Sequence, residues 1–429
     1  MSHTDIVSPT SSSFHQLTMP SDRPHPFAPH PKPSNSLGVL RVLSPRAGVR
    51  VSPICLGGGN IGDRWPGSSM TKEKSFGYLD AFFERGGNFI DTANHYQEEA
   101  SEEYIGEWME SRGIRDQIVL ATKYASCYKV MNPNVKQTAN YTGGNVKSLH
   151  MSVRDSLKKL RTDYIDLLYI HWWDFDVTIE EVMDGLHNLV AAGKVLYLGI
   201  SDSPAWVVSQ ANQYAKMAGK TPFVVYQGKW GLTDRSFERD IIPMARANGT
   251  FSVSFSVLNN QSLPRTLAGL ALAPWNVLGA GRIRTDEEEE RREKTGEKGR
   301  QLFGPEWKRT PEEVKISRAL EKVAKEIGAK NITAVAIAYV MQKTPYVFPI
   351  IGGHRIEQLD QNLEALEITL TPEQIKFLES EAPPFDIGFP MGLYLLNVPQ
   401  DPDGKNFIVN VGAYYQRVPD AQPLGPAAK

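Results

Sequence analysis

Cysteine is scarce: two residues, Cys55 and Cys127, in a chain of 429. That argues against a disulfide framework and fits a reducing compartment, so the cytoplasm is the expected location. No uninterrupted apolar stretch is long enough to span a bilayer. The N-terminus lacks the charged-then-apolar order of a signal peptide. A strong charge of either sign is also missing. The formal net charge is −2, so no general pull toward nucleic acid is expected. What remains, 41% hydrophobic and 22% charged, is the composition of a soluble globular enzyme.

Residues 1–36 are rich in Ser, Pro and His and lack apolar periodicity, so they are expected to be a disordered tail. The pairs His25-Pro26, Pro29-His30 and His30-Pro31 read as a weak metal site or as part of a solvated tail. The second is simpler, and no metal is expected.

From Val51 onward, short apolar runs alternate with amphipathic helical patterns. The strands are expected at Pro53–Leu56, Asn88–Asp91, Ile118–Thr122, Ile165–His171, Val195–Ser201, Phe223–Gln227, Leu270–Ala273 and Val347–Ile351. The helices are expected at Lys72–Arg85, Ser101–Ser111, Val146–Leu160, Thr178–Ala192, Ala205–Met217 and Phe237–Ala247, then split as Pro311–Ile327 and Ile332–Lys343. Strands separated by helices pair in parallel, because a parallel crossover needs a dozen residues or more. Eight such units predict an α/β protein of the (β/α)8 TIM-barrel class, spanning residues 37–382. Leu40–Val51 reads as a hairpin capping the lower end, and residues 383–429 as a C-terminal tail. "LGGGNIG" fits GxGxxG through Gly57, Gly59 and Gly62, but a dinucleotide-binding unit needs a helix opening inside the motif. Pro66 and Gly67 follow instead, so these glycines are expected to form a turn at the barrel mouth that lets a cofactor approach.

In such a barrel, catalytic groups stand at the carboxyl ends of the strands. Those ends carry Asp91, Lys123, His171, Ser201 with Asp202, and Gln227, with Tyr96 in the loop after the second strand. Singly, each has a plain reading: Asp91 as a turn cap, Lys123 as a solvated strand end, His171 as a core histidine. Together they suggest proton transfer. A phenol with a pKa of about 10 is a poor acid near neutrality. A neighbouring ammonium favours the phenolate, and Lys123 can play that part with Asp91 as its ion-pair partner. His171 can orient the substrate oxygen or help move the proton. A phenol so poised suits donation to a carbonyl oxygen as hydride reaches the carbon.

Asp91, Tyr96, Lys123 and His171, within "NFIDTANHY" and "IDLLYIHWWD", resemble the catalytic tetrad of the aldo-keto reductase superfamily. The resemblance runs from about Leu37 to about Ser380. "YQGKW", "FERDIIPMA" and "APWNVLGAG" are similar to its fungal branch of aryl-alcohol dehydrogenases and norsolorinic acid reductase-like enzymes. The resemblance implies NADP(H) laid across the barrel mouth. Gly58 and Asn60 fall in its first turn. Ser201, Asp202 and Gln227 match positions that grip the nicotinamide amide. Ala273, Trp275, Gly279, Gly281 and Arg282 fall in the loop that matches the pyrophosphate cover. Gly353, His354, Arg355, Gln358, Gln361 and Asn362 fall in the segment that matches the holder of the adenosine and its 2′-phosphate. Arg355 is a good phosphate ligand, and Gln358 and Asn362, four apart, share a helical face.

Thr250–Gly269 departs from that pattern. These twenty residues interrupt what would read "ANGLALAPW". They are either a short intron translated in frame or a genuine surface insertion near the barrel's bottom, and "TFSVSFSV" alternates well enough to compete for the seventh strand position. Arg282–Arg300 is charged and helix-prone, read either as a solvated face or as a cofactor lid. The aromatic C-terminal tail reads as a wall of the substrate pocket or as exterior packing. The function expected is carbonyl reduction by NADPH, or alcohol oxidation in reverse, on small aryl or polyketide-like molecules. The alternative is a cofactor-holding, channel-associated regulatory subunit with slow turnover.

Overall fold

The computed structural model describes residues 27, 29–65, 68, 70–247, 269–296, 307–385 and 422–426. The chain divides into residues 1–33 and 34–429, and the second unit carries the fold. An antiparallel hairpin, β1 (Arg41–Ser44) and β2 (Ala47–Val51), comes first. Eight parallel strands follow: β3 (Cys55–Gly57), β4 (Phe89–Asp91), β5 (Val119–Tyr124), β6 (Ile165–Ile170), β7 (Val195–Ser201), β8 (Phe223–Lys229), β9 (Ala271–Trp275) and β10 (Ile350–Ile351). Their order is β10-β3-β4-β5-β6-β7-β8-β9. Val347 bridges Leu272 in parallel, which brings the two edges together. The eighth unit was expected as one strand, Val347–Ile351. It is split because Pro349 has no N–H for the ladder, although its carbonyl still accepts from Cys55 N at 3.0 Å.

Helices α1 (Lys72–Glu84), α2 (Ala100–Arg112), α3 (Val146–Lys159), α4 (Ile179–Ala191), α5 (Ala205–Met217) and α6 (Ile241–Ala247) link successive strands. α7 (Asp286–Thr295), α8 (Pro311–Ile327) and α9 (Ile332–Lys343) precede β10, and α10 (Ile356–Leu363) and α11 (Pro372–Glu381) follow it. This is the expected (β/α)8 barrel. The glycine-rich run Gly58–Asn60 is a single 3-10 turn, and α1 begins only at Lys72, so no dinucleotide-binding helix opens there.

Alternation along the strands decides what faces the interior. Phe89, Val119, Ala121, Leu167, Tyr169, Val225, Ala271, Ala273 and Phe348 pack into one buried cluster. Leu43, Ala47 and Val51 of the hairpin join it, so the hairpin closes one end of the barrel as expected. The intervening residues Ile90, Leu120, Leu168, Ile170, Leu198 and Ile200 pack with the helices. Carried two residues further along each strand, the inward set becomes Asp91, Lys123, His171, Gln227 and Trp275. The polar residues at the carboxyl ends thus continue the rows that begin as apolar core.

The seventh strand position belongs to Ala271–Trp275. Residues 250–268, with "TFSVSFSV", lie outside the described residues. Leu270 N donates to Ala245 O at 3.0 Å, so the chain leaving α6 and the chain entering β9 lie side by side. The C-terminal tail is likewise mostly outside the described residues.

Candidate active site

Lys123 has no solvent exposure and Asp91 is 3% exposed. An isolated buried charge costs several kcal/mol, so each must be compensated locally. Lys123 Nζ donates to Asp91 Oδ2 at 2.6 Å, to Thr92 O at 2.7 Å and to Tyr96 Oη at 3.4 Å. Its three protons are thereby allotted. On this edge Tyr96 accepts, which leaves the phenol's own proton for another partner. Asp91 Oδ1 accepts from Gln227 Nε2 at 2.9 Å. Burial works against the Lys123 charge, but Asp91 and Tyr96 more than offset it and hold its pKa above the ordinary lysine value. Burial raises the Asp91 carboxyl, with Lys123 and Gln227 pulling the other way.

Tyr96 is held by different means. Gln97, Glu98 and Glu99, which follow it, all have left-handed backbones, with φ of 54°, 51° and 78°. Such a conformation costs a non-glycine residue roughly 1–2 kcal/mol. Side chains hold this segment. Gln97 Oε1 accepts from Trp65 N at 2.9 Å, and its Nε2 donates to Gly59 O at 3.0 Å. Glu99 pairs with Lys129 at 2.6 Å and with Lys159 at 3.0 Å. Lys159 also pairs with the fully buried Glu102 at 2.7 Å and donates to Asn94 O at 3.0 Å. Lys159 therefore ties together both sides of the loop carrying Tyr96.

His171 directly follows β6, and its backbone N donates to Tyr124 O at 3.0 Å. Its ring lies 5.8 Å from that of Tyr96 and 5.1 Å from that of His95, and stacks on Trp172 at 4.9 Å and 8°. Burial, then Lys123 and His95, push His171 well below the usual histidine value. Burial, then Lys123 and Lys159, take His95 down to about 4. Both imidazoles are neutral at neutral pH. His95, Trp65 and Trp172 were not singled out from the sequence. Their only signal there was adjacency to Tyr96, the glycine turn and His171.

The residues matched to the cofactor fall into three groups. Ser201 ends β7 and donates to Asp202 Oδ2 at 3.0 Å. Asp202, at φ 41°, also accepts from Trp275 Nε1 at 2.9 Å, and burial raises its carboxyl to about 6. Gln227 is committed to Asp91 on its amide side, while Ala273 lies inside the barrel core. Gly279, Ala280 and Gly281 form a second left-handed run, at 56°, 55° and 88°, and Arg284 Nη1 donates to Gly281 O at 2.9 Å. Arg282 pairs with Glu313 at 3.3 Å.

In the third group, Asn60 stands 3.5 Å from where a Cβ on Gly352 would lie, so the two glycine turns are neighbours. A Cβ on Gly353 would come within 2.6 Å of the Tyr78 hydroxyl, and one on Gly58 within 2.7 Å of Asp91 O. Both positions therefore require glycine for space. Arg355 is the N-cap residue of α10, His354 N donates to Gln358 Oε1 at 3.1 Å, Gln361 is exposed and Asn362 is buried. Among the described residues no cluster of His, Cys, Asp or Glu could hold a metal.

The Aldo/keto reductase family model matches this chain over residues 53–268 and 265–382. The two segments meet within the stretch that departs from the pattern at 250–269. The chain is 54% identical to an aryl-alcohol dehydrogenase [NADP(+)] of Phanerodontia chrysosporium, over 93% of this chain and 99% of that protein. It is 48% identical to an aldo-keto reductase of Aspergillus calidoustus, over 85% and 87%. It is 44% identical to a norsolorinic acid reductase of Emericella nidulans, over 93% and 96%.

Proposed function

The chain belongs to the aldo/keto reductase family, and we propose that it is an NADPH-dependent carbonyl reductase for aryl or polyketide-like aldehydes and ketones, running the alcohol oxidation in reverse. One observation carries the reading: a buried lysine whose three protons go to a carboxylate, a carbonyl and a phenol oxygen. The relatives named as an NADP(+) aryl-alcohol dehydrogenase and a norsolorinic acid reductase supply the substrate class.

The donor set fits NADP(H). Arg282 and Arg355 offer guanidinium groups for phosphate. The glycines at 279 and 281 leave backbone open to close approach, and the N-terminus of α10 favours an anion beside Arg355. Gly58 and Asn60 border the same region. Ser201, Asp202, Gln227 and Trp275 form the polar network for the amide end. When bound, NADPH supplies the hydride that adds to the carbonyl carbon. Tyr96 gives its Oη proton to the carbonyl oxygen, and the alcohol results. Lys123 stabilises the negative charge left on Tyr96, and Asp91 keeps Lys123 charged. His171 donates a hydrogen bond that orients the carbonyl oxygen. Solvent returns the proton to Tyr96.

No helix among the described residues is long and apolar enough to cross a membrane. Both cysteines are free thiols, which supports a cytoplasmic location.

The test is steady-state oxidation of NADPH by purified protein with a panel of aryl aldehydes and ketones. Turnover is expected. Tight NADPH binding without turnover would instead favour a regulatory subunit. Arg355→Ala should weaken NADPH by roughly tenfold or more while barely touching NADH, since only NADPH carries the 2′-phosphate. Equal losses would remove Arg355 from that contact.

A further inference from the structure

Ser126 lies just beyond β5 and takes no part in the ion-pair network. Its Oγ stands 3.1 Å from His171 Nδ1 and 3.1 Å from Trp172 Nε1. An indole nitrogen only donates, so Trp172 must be the donor to Ser126. A serine hydroxyl has one proton and two acceptor sites. Two arrangements remain at His171. If Nδ1 carried a proton, Ser126 would accept twice and its own proton would have neither ring as a partner. If Nδ1 is bare, the chain runs Trp172 N–H to Ser126 O–H to His171 Nδ1, and every group is used. Hydrogen bonds in series also polarise and strengthen one another.

We infer that Ser126 is a positioning residue that fixes His171 in the tautomer with its single proton on Nε2, and that the Trp172 indole orients the Ser126 hydroxyl for this task. The inference rests on the proposed role of His171 toward a carbonyl oxygen, and it sharpens that role. The imidazole is neutral, as its burial and the cation beside it require, so it carries one proton. Which nitrogen holds that proton is set by the bond made at the other. A neutral Nε2–H donates a hydrogen bond to the substrate oxygen but is too weak an acid to give up its proton. Proton delivery then falls to Tyr96 alone. In the oxidative direction, Nε2 has no lone pair with which to take the alcohol proton. The near-parallel stack of His171 on Trp172 keeps both nitrogens in line with one hydroxyl.

The experiment is a long-range proton–nitrogen correlation spectrum of protein labelled in its histidines, with the His171 signals identified by their loss in His171→Gln. The wild type should show a pyrrole-like Nε2 and a pyridine-like Nδ1. Ser126→Ala should move the proton partly or wholly to Nδ1 and lower kcat/KM about tenfold, the size of one lost hydrogen bond. Ser126→Thr keeps the hydroxyl and should restore both. Trp172→Phe keeps the stack but removes the N–H, and should give an intermediate tautomer mixture in a protein with unchanged core. A wild-type proton on Nδ1, or an unchanged nitrogen pattern in Ser126→Ala, overturns the inference. The spectrum is read without substrate. An inactive wild type with the expected pattern would therefore count against the proposed reaction and leave the relay standing.

Discussion

Two halves of one site are built by opposite means. Asp91 and Lys123 sit in β4 and β5, where parallel ladders fix the backbone and alternation aims the side chains. Tyr96 sits on a loop whose next three residues are left-handed, and side chains from α3 and two other loops hold it there. The strand half is rigid because its neighbours are rigid. The loop half depends on a few named contacts and stores backbone strain, a pattern that clusters at functional sites. Variants on the strand side should therefore act through charge, and variants on the loop side through placement.

The largest expected effect is chemical and tests the loop's cargo. Tyr96→Phe keeps the ring contacts with His95 and His171 and removes the hydroxyl. Reduction should fall roughly 10²-fold or more, the usual order for a general acid, with NADPH affinity and stability nearly unchanged. Near-normal turnover would eliminate Tyr96 as the donor and empty the comparison of its chemistry.

Next comes the clamp. Lys159→Met leaves buried Glu102 without its cation, which should cost about 3–5 kcal/mol of stability. It also releases Asn94 and weakens the hold on Glu99. If the loop depends on the clamp, kcat should drop by about tenfold even where the protein is fully folded, since small misplacements are expensive in rate. Lys159→Arg should recover part of both. A variant that loses stability while kcat stays at the wild-type value would show that the strands alone place Tyr96.

A third measurement uses pH. His95 titrates near 4 in the folded chain against an ordinary 6.5. As pH falls below 6.5, the unfolded chain takes a proton that the folded one refuses. The stability that neutral His95 contributes is thus full above 6.5 and lost progressively toward 4. The gap between 6.5 and about 4 corresponds to about 3 kcal/mol. Asp202, raised to about 6, titrates in the same window with the opposite sign, so the useful quantity is a difference. In urea unfolding, His95→Gln should gain on the wild type as pH falls from 6.5 to 4. A gap constant with pH would mean that His95 is not kept neutral by its surroundings.

The same division explains what the sequence disclosed. Short apolar runs such as Ile118–Thr122 announced the strands, and the polar residue ending each run, Lys123 here, announced the inward set, because a strand buried on both faces is apolar until it reaches the mouth. The glycine turns were visible because only glycine fits beside Tyr78 and Asp91 O. The left-handed run was not visible. Gln-Glu-Glu carries no turn signature, and its conformation is imposed by Trp65, Gly59, Lys129 and Lys159, which are remote in sequence. Ser126 and His95 were missed for a related reason. A lone serine or histidine gains meaning only from the ring placed beside it. The start of β10 was misjudged where Pro349 removed a donor, while its end at Ile351 stands as expected.

The smallest effect is the most discriminating, because one kind of strain is relieved at two positions with opposite expected signs. Glu98 has φ 51°, and its backbone O accepts from Arg64 Nη1 at 2.8 Å. Glu98→Gly removes a left-handed cost of roughly 1–2 kcal/mol and adds unfolded-chain entropy of roughly 0.5–1 kcal/mol. The balance is a gain of up to about 1.5 kcal/mol, with kcat within about twofold because the backbone contact remains. Gln97, at φ 54°, is buried, and its amide bridges Trp65 N and Gly59 O. Gln97→Gly relieves the same kind of strain but deletes both bonds and leaves their partners unmet, so it should destabilise by about 1–3 kcal/mol and lower kcat. Denaturant midpoints for the two single variants decide it. If both variants gain stability, the strain dominates and the side chains are incidental to the loop. If both lose it, the left-handed backbone is comfortable in this setting, and rigidity near Tyr96 comes from elsewhere in the barrel.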